Sequence, residues 1–79
     1  MNKIRLSKLE KIVSGLEELR DQLGEIRDEE QEYVDNCPEN LQSSERYETA
    51  EENVSTMEDA YDNLDNLCGE LRDVVEANS

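Results

Sequence analysis

The chain has no histidine, tryptophan or phenylalanine, and a single proline, Pro38. Without histidine it lacks the commonest general base and the commonest metal ligand. Its two cysteines, Cys37 and Cys68, are far apart and make no C-x-x-C pair. Gly15, Gly24 and Gly69 stand alone inside helical patterns, so there is no glycine-rich phosphate loop. Asp59, Asp62 and Asp65 are spaced by three with Ala60 and Leu64 between them. A calcium loop instead needs oxygens at alternate positions, then a glycine and a closing glutamate. A di-metal carboxylate bundle needs Glu-x-x-His pairs, which Glu30 does not have. No apolar run approaches the ~20 residues of a membrane helix. The basic N-terminus is followed by "IVSGLEELRD" rather than an apolar core, so a signal peptide is not expected. These absences point away from an enzyme, a cofactor, a metal or a membrane. They point toward a cytoplasmic protein with reduced thiols.

What remains is mostly charge. Twenty-two acids face eight bases, a formal net charge of −14 on 79 residues, with a hydrophobic fraction of 34%. The length allows one small domain with a marginal core. The charge opposes direct contact with nucleic acid and with anionic membranes and favours a protein partner with a basic surface. It is also uneven. Lys3, Arg5, Lys8 and Lys11 outweigh Glu10 in the first eleven residues, which sum to +3; the remainder carries −17.

So polar a composition is compatible with disorder, and periodicity decides against it. Steps of three and four from Leu9 reach Ile12, Leu16, Leu19, Leu23, Ile26, Glu30, Tyr33 and Cys37. The same steps from Tyr47 reach Ala50, Val54, Met57, Tyr61, Leu64, Cys68, Leu71 and Val75. Each run is a heptad seam, and Glu30 is the one charged member of either. Two seams of equal length with a short break between them predict an all-α antiparallel two-helix coiled-coil hairpin. Helix one is expected over about 4–36, the bend over 37–43 and helix two over 44–76. Facing residues should have numbers that sum to the mid-eighties, with Leu16 near Cys68 or Leu71 and Ile26 near Met57 or Tyr61. Cys68 lies 21 residues beyond Tyr47, roughly 32 Å along the helix from the bend. An intrachain disulfide with Cys37, which needs Cα atoms about 4.4–6.8 Å apart, is therefore excluded.

Further apolar residues repeat every seven positions off these seams. Leu6, Val13 and Val34 do so on helix one, with Arg20 and Arg27 between them; Ala60, Leu67 and Val74 do so on helix two. In formal register the two columns flank opposite sides of the hairpin. A single hairpin cannot cover both, so Leu6, Val13, Leu67 and Val74 predict either a homodimer forming a four-helix bundle or docking of another protein.

The acids lie mostly outside the seams. Glu17 to Asp65 holds 18 acids and three bases, net −15. Spread over roughly 31 Å of helix two, this is about one net charge per 2 Å. Double-stranded DNA carries one per ~1.7 Å. Glu48, Glu51, Glu52, Glu58, Asp59, Asp62 and Asp65, with Asp28 and Glu32 of helix one, are the candidate partner-binding carboxylates. Such an outer face also serves simply to keep a small protein dissolved. Lys8 and Lys11, near Asp73 and Glu76 in the hairpin, have a neutralising reading of their own.

In the bend, the residue before Pro38 is pushed out of helical angles, so helix one should stop there. "PENL" suits one short turn, and Ser43 or Ser44 suits the start of helix two, with Glu45 and Glu48 near its positive end. Leu41 is expected to plug the end of the seam, leaving Glu39, Asn40 and Gln42 as an exposed tip. The pattern Asp35, Asn36, Pro38, Glu39, Asn40, Leu41, Gln42, Ser44, Glu45, Arg46, Tyr47, Glu48 resembles a recurring segment of small, uncharacterised phage and mobile-element proteins of Gram-positive bacteria. Cys37 and Ser43 depart from it, larger aliphatics and glycine being usual there. The resemblance implies provenance, and association with small acidic inhibitors of host defences such as anti-CRISPR and anti-restriction proteins. Two readings follow. One is a non-enzymatic binding protein that occupies a basic surface of a host protein in the host cytoplasm, a defence nuclease for example. The other is a structural, assembly or adaptor module working through its apolar helical face.

Overall fold

The computed structural model describes residues 1–79 and contains two long helices and no strand. α1 runs Lys3–Asp35 and α2 runs Glu45–Ala77, 33 residues each. They lie antiparallel along their whole length, giving a rod of 60 × 14 × 14 Å. The predicted hairpin is therefore present, with its helix boundaries displaced by one residue.

Each helix is closed by local hydrogen bonds that the sequence supplies. Asn2 Oδ1 accepts from the Arg5 amide at 2.8 Å at the start of α1, a cap that pattern reading had passed over. Ser44 Oγ accepts from the Tyr47 amide at 3.2 Å at the start of α2, with Glu45 and Glu48 in the first turn. Both helices end on an asparagine. The Asn36 and Asn78 side chains donate back to the Glu32 and Val74 carbonyls, each at 2.8 Å. Between the helices, Glu39–Leu41 forms one 3-10 turn entered through Pro38, and Gln42 Nε2 donates to the Cys37 carbonyl at 3.3 Å.

The core is thin: Val13, Ala50, Val54, Cys68 and Val75 are its buried apolar side chains. On α2 the packed positions are the predicted ones, Tyr47, Ala50, Val54, Met57, Tyr61, Leu64, Cys68, Leu71 and Val75, every one buried or half-buried. On α1 only half of the predicted seam packs. Leu9, Leu16, Leu23, Glu30 and Cys37 are half-buried as expected. The column paired with them is not Ile12, Leu19, Ile26 and Tyr33, which are 56%, 57%, 55% and 46% exposed. It is Leu6, Val13, Arg20, Arg27 and Val34, with Val13 fully enclosed at 0%. The expectation that Leu6 and Val13 form a free self-association column is thereby corrected, as is the reading of Glu30 as the one charged seam residue.

The physical reason lies on α2. Arg20 and Arg27 lay their aliphatic stems along the seam and send their guanidinium groups out to one side. Arg20 Nη1 donates to Asp65 at 2.9 Å, and the Arg27 guanidinium sits 4.8 Å from the Tyr61 ring centroid. Gly24 makes room for that ring: a Cβ there would meet Tyr61 Cε2 at 3.1 Å. The register is the predicted one, shown by Arg20 against Asp65, Gly24 against Tyr61 and Glu30 against Asn53.

Candidate interaction surfaces

The rotation of α1 sorts the surface into two unlike faces. The packed positions repeat every seven residues along both helices, so each column between them keeps to one side of the hairpin. One side is fixed by Arg20 with Asp65, Glu17 with Arg72, and Arg27 over Tyr61. The other is fixed by two shallow grooves. Ile26, Glu30, Asn53, Thr56 and Met57 line the first; Glu30, Tyr33, Arg46, Thr49, Ala50 and Asn53 are among the residues lining the second.

Carboxylates crowd the first side and the two outer edges. Of the 22 acids, only Glu29, Glu30, Glu39 and Glu70 lie elsewhere. Glu48, Glu51, Glu58, Asp62, Asp65 and Asp28 belong to this face, while Glu52, Asp59 and Glu32 occupy the edges; all nine are exposed. Two of the nine are engaged, Asp65 with Arg20 and Asp28 with Arg27 at 2.9 Å. The Arg20 guanidinium is held above its ordinary pKa by its hydrogen bond to Asp21, then by the charges of Asp21 and Asp65, with partial burial opposing. Arg27 is held up in the same way by Asp28, with Glu58 adding its charge. The other seven carboxylates make no ion pair within 4 Å. Lys8 and Lys11 make none either, so any neutralisation they give the open end is not through direct ion pairs; there the N-terminal ammonium donates to Asn78 Oδ1 at 3.1 Å. At the bend, Glu39, Asn40 and Gln42 are exposed, and Gln42 also ties the loop to Cys37.

Comparison with family models, curated proteins and solved structures returns no match. The surface itself therefore carries the functional reading.

The second side carries the exposed apolar columns, among uncharged polar residues and few charges. Ile12, Leu19, Ile26 and Tyr33 of α1 run beside Val74, Leu67, Ala60 and Asn53 of α2, rung by rung. Leu67 is 41% exposed and Val74 38%. Sequence reading placed the off-seam apolar columns on opposite sides of the hairpin. The structure brings the exposed columns of both helices onto one side, because the α1 column left outside is Ile12–Tyr33 rather than Leu6–Val34. Leu41, expected to plug the seam, is half-exposed instead. It lies in a groove with Tyr33, Cys37 and Pro38 and extends the same face toward the bend. Glu30, at the inner edge of this face, accepts from Asn53 Nδ2 at 3.2 Å. Both cysteines are free, Cys68 buried and Cys37 half-buried. No helix is long and apolar enough to cross a membrane.

Proposed function

We propose that this chain is a small non-enzymatic binding protein whose carboxylate face and edges engage a basic surface on a protein partner. One observation carries the reading. Eighteen of the 22 acids are confined to one face and the two edges of a straight, capped rod, and all of these but Glu17, Asp21, Asp28 and Asp65 are left without a cation of their own. A charge scattered only to keep the chain dissolved has no need of one side. Between Glu17 and Asp65 the net charge is −15, a linear density close to that of duplex DNA, about one charge per 1.7 Å. A host protein that binds nucleic acid in a basic groove is the partner class this density suits. The likeness of the bend to phage and mobile-element proteins adds a setting, inhibition of a host defence nuclease.

The test is affinity capture from a bacterial lysate with the wild-type chain and with a variant carrying Glu51, Glu52, Asp59 and Asp62 all changed to lysine. The helical circular dichroism of the variant should persist while capture is lost, and wild-type capture should fade at about 0.5 M salt, where screening is strong. Undiminished capture by the reversed chain would sink the electrostatic reading. The exposed apolar columns favour a second reading, an assembly module, which concerns the opposite face and does not compete for the same residues.

A further inference from the structure

The apolar side has a composition unlike the rest of the surface. On its exposed columns the only acids are Glu29 and Glu70, set against Arg5, Lys8 and Arg46. It is thus the one long face on which a chain of net charge −14 can approach another of the same charge without stacking carboxylate on carboxylate. Its size also fits. The rod measures 60 × 14 Å, so one broad face projects about 840 Å², and a stable interface buries about 800 Å² per partner. We infer that this face is covered by a second copy of the chain, closing a four-helix bundle in which the two bends lie at opposite ends.

The orientation follows from charge and spacing. A closed pair places its two-fold axis in the plane between the hairpins. An axis along the rod would set the two bend halves, each net −15, side by side. An axis across the rod sets each bend half beside the partner's open end, where Lys3, Arg5, Lys8 and Lys11 lie. In that arrangement each helix packs antiparallel on its own copy. Leu19 falls opposite the partner's Ile26 and Ile12 opposite the partner's Tyr33. On α2, Ala60 falls opposite the partner's Leu67. The small residue meets the large one, as interdigitating layers require. Arg5 and Lys8 come over the partner's bend, near the partner's Glu39. The acidic faces then point outward on both sides of the bundle, so the pair displays two copies of the surface proposed above to bind a partner. The inference itself does not depend on that proposal.

Sedimentation of the full chain from low to high micromolar concentration tests it. A species of twice 9.1 kDa is expected. Changing Leu19 and Leu67 together to lysine should give a helical monomer, and changing both to alanine should weaken the dimer at least tenfold. A monomer at every concentration overturns the inference and leaves the face to a foreign partner. A dimer unaffected by either variant overturns the choice of face. Orientation is read by mixing two single-cysteine chains on a Cys37→Ser, Cys68→Ala background, which removes both native thiols, and oxidising. Ile12→Cys with Tyr33→Cys should cross-link. Cross-linking of Ile12→Cys with Val74→Cys instead would place the bends at the same end and overturn the arrangement.

Discussion

The two broad faces of this hairpin are built from the same helices and lie on opposite sides of the seam. One presents arginine stems, a tyrosine ring and ranks of carboxylates. The other presents isoleucine, leucine, valine and alanine. The contrast separates what folds the chain from what the chain shows. The seam needs only two columns per helix, and α1 owns three that would serve: Leu6–Val34, Leu9–Cys37 and Ile12–Tyr33. It packs the column interrupted by Arg20 and Arg27 and leaves the uninterrupted one outside. The arginines can be accommodated because α2 offers Asp65 and Tyr61 on their side. Nothing within the hairpin covers Ile12, Leu19 and Ile26.

The sharpest way to break the contrast is to place the same charge at neighbouring residues of the two columns that flank Leu9–Cys37. Val13 is enclosed and Ile12 is not. Val13→Asp puts an unpaired charge into the thin core, a cost of about 3–5 kcal/mol, enough to unfold much of a small hairpin. Ile12→Asp should cost the hairpin no more than about 0.5 kcal/mol. Urea titrations followed by circular dichroism, at dilution below self-association, compare the two. Equal losses would mean that α1 is rotated differently from the arrangement described.

That pair of residues also marks where the sequence stops being legible. Heptad steps found both helices, the register and all nine packed positions of α2, since only one choice of columns there is free of charge. Pro38 and Ser44 located the bend and the second cap because each acts on its own neighbours. On α1 two columns flank Leu9–Cys37, and composition favours the one without arginines. The decision depends on what α2 places opposite each, a tertiary fact that periodicity does not contain. The same holds for the interaction surfaces. The nine candidate carboxylates were visible as acids outside the seam, but their confinement to one face and the edges emerges only once the rotation is known. Leu41 was misread for a simpler reason: an aliphatic residue in a polar bend suggests a plug, yet the 3-10 turn Glu39–Leu41 carries it onto the outside of α1.

Glycine substitutions sharpen the comparison with smaller effects. Gly15 and Gly69 have open space where a Cβ would be, while Gly24 faces the Tyr61 ring at 3.1 Å. Alanine at the first two positions should stabilise the helices by about 0.8–1 kcal/mol each. Alanine at Gly24 gains the same helical preference but must displace the ring that holds Arg27, so its net gain should be clearly smaller. Thermal unfolding of the three single variants ranks them, and Gly24→Ala matching the other two would show that Tyr61 is not held where the acidic face needs it.

The smallest expected effect concerns how far the acidic side reaches into the seam. Tyr47 ends the packed column nearest the bend. Burial pushes its phenol above the ordinary value of 10, and the negative charges of Glu51, Cys37 and Asp35 push it further in the same direction. The folded chain thus holds this proton more tightly than the unfolded chain does. The resulting stability is fully present below the unfolded value and is lost as pH rises through the folded one. Between about pH 9 and 11, the melting midpoint of the wild type should fall more steeply than that of Tyr47→Phe, which has no phenol to ionise. Lysine titration is common to both chains and cancels in the difference. Added salt should narrow that difference, because it screens the contribution of the three charges and leaves that of burial. Parallel curves at low salt would mean that the carboxylate face ends at the surface and does not reach the core.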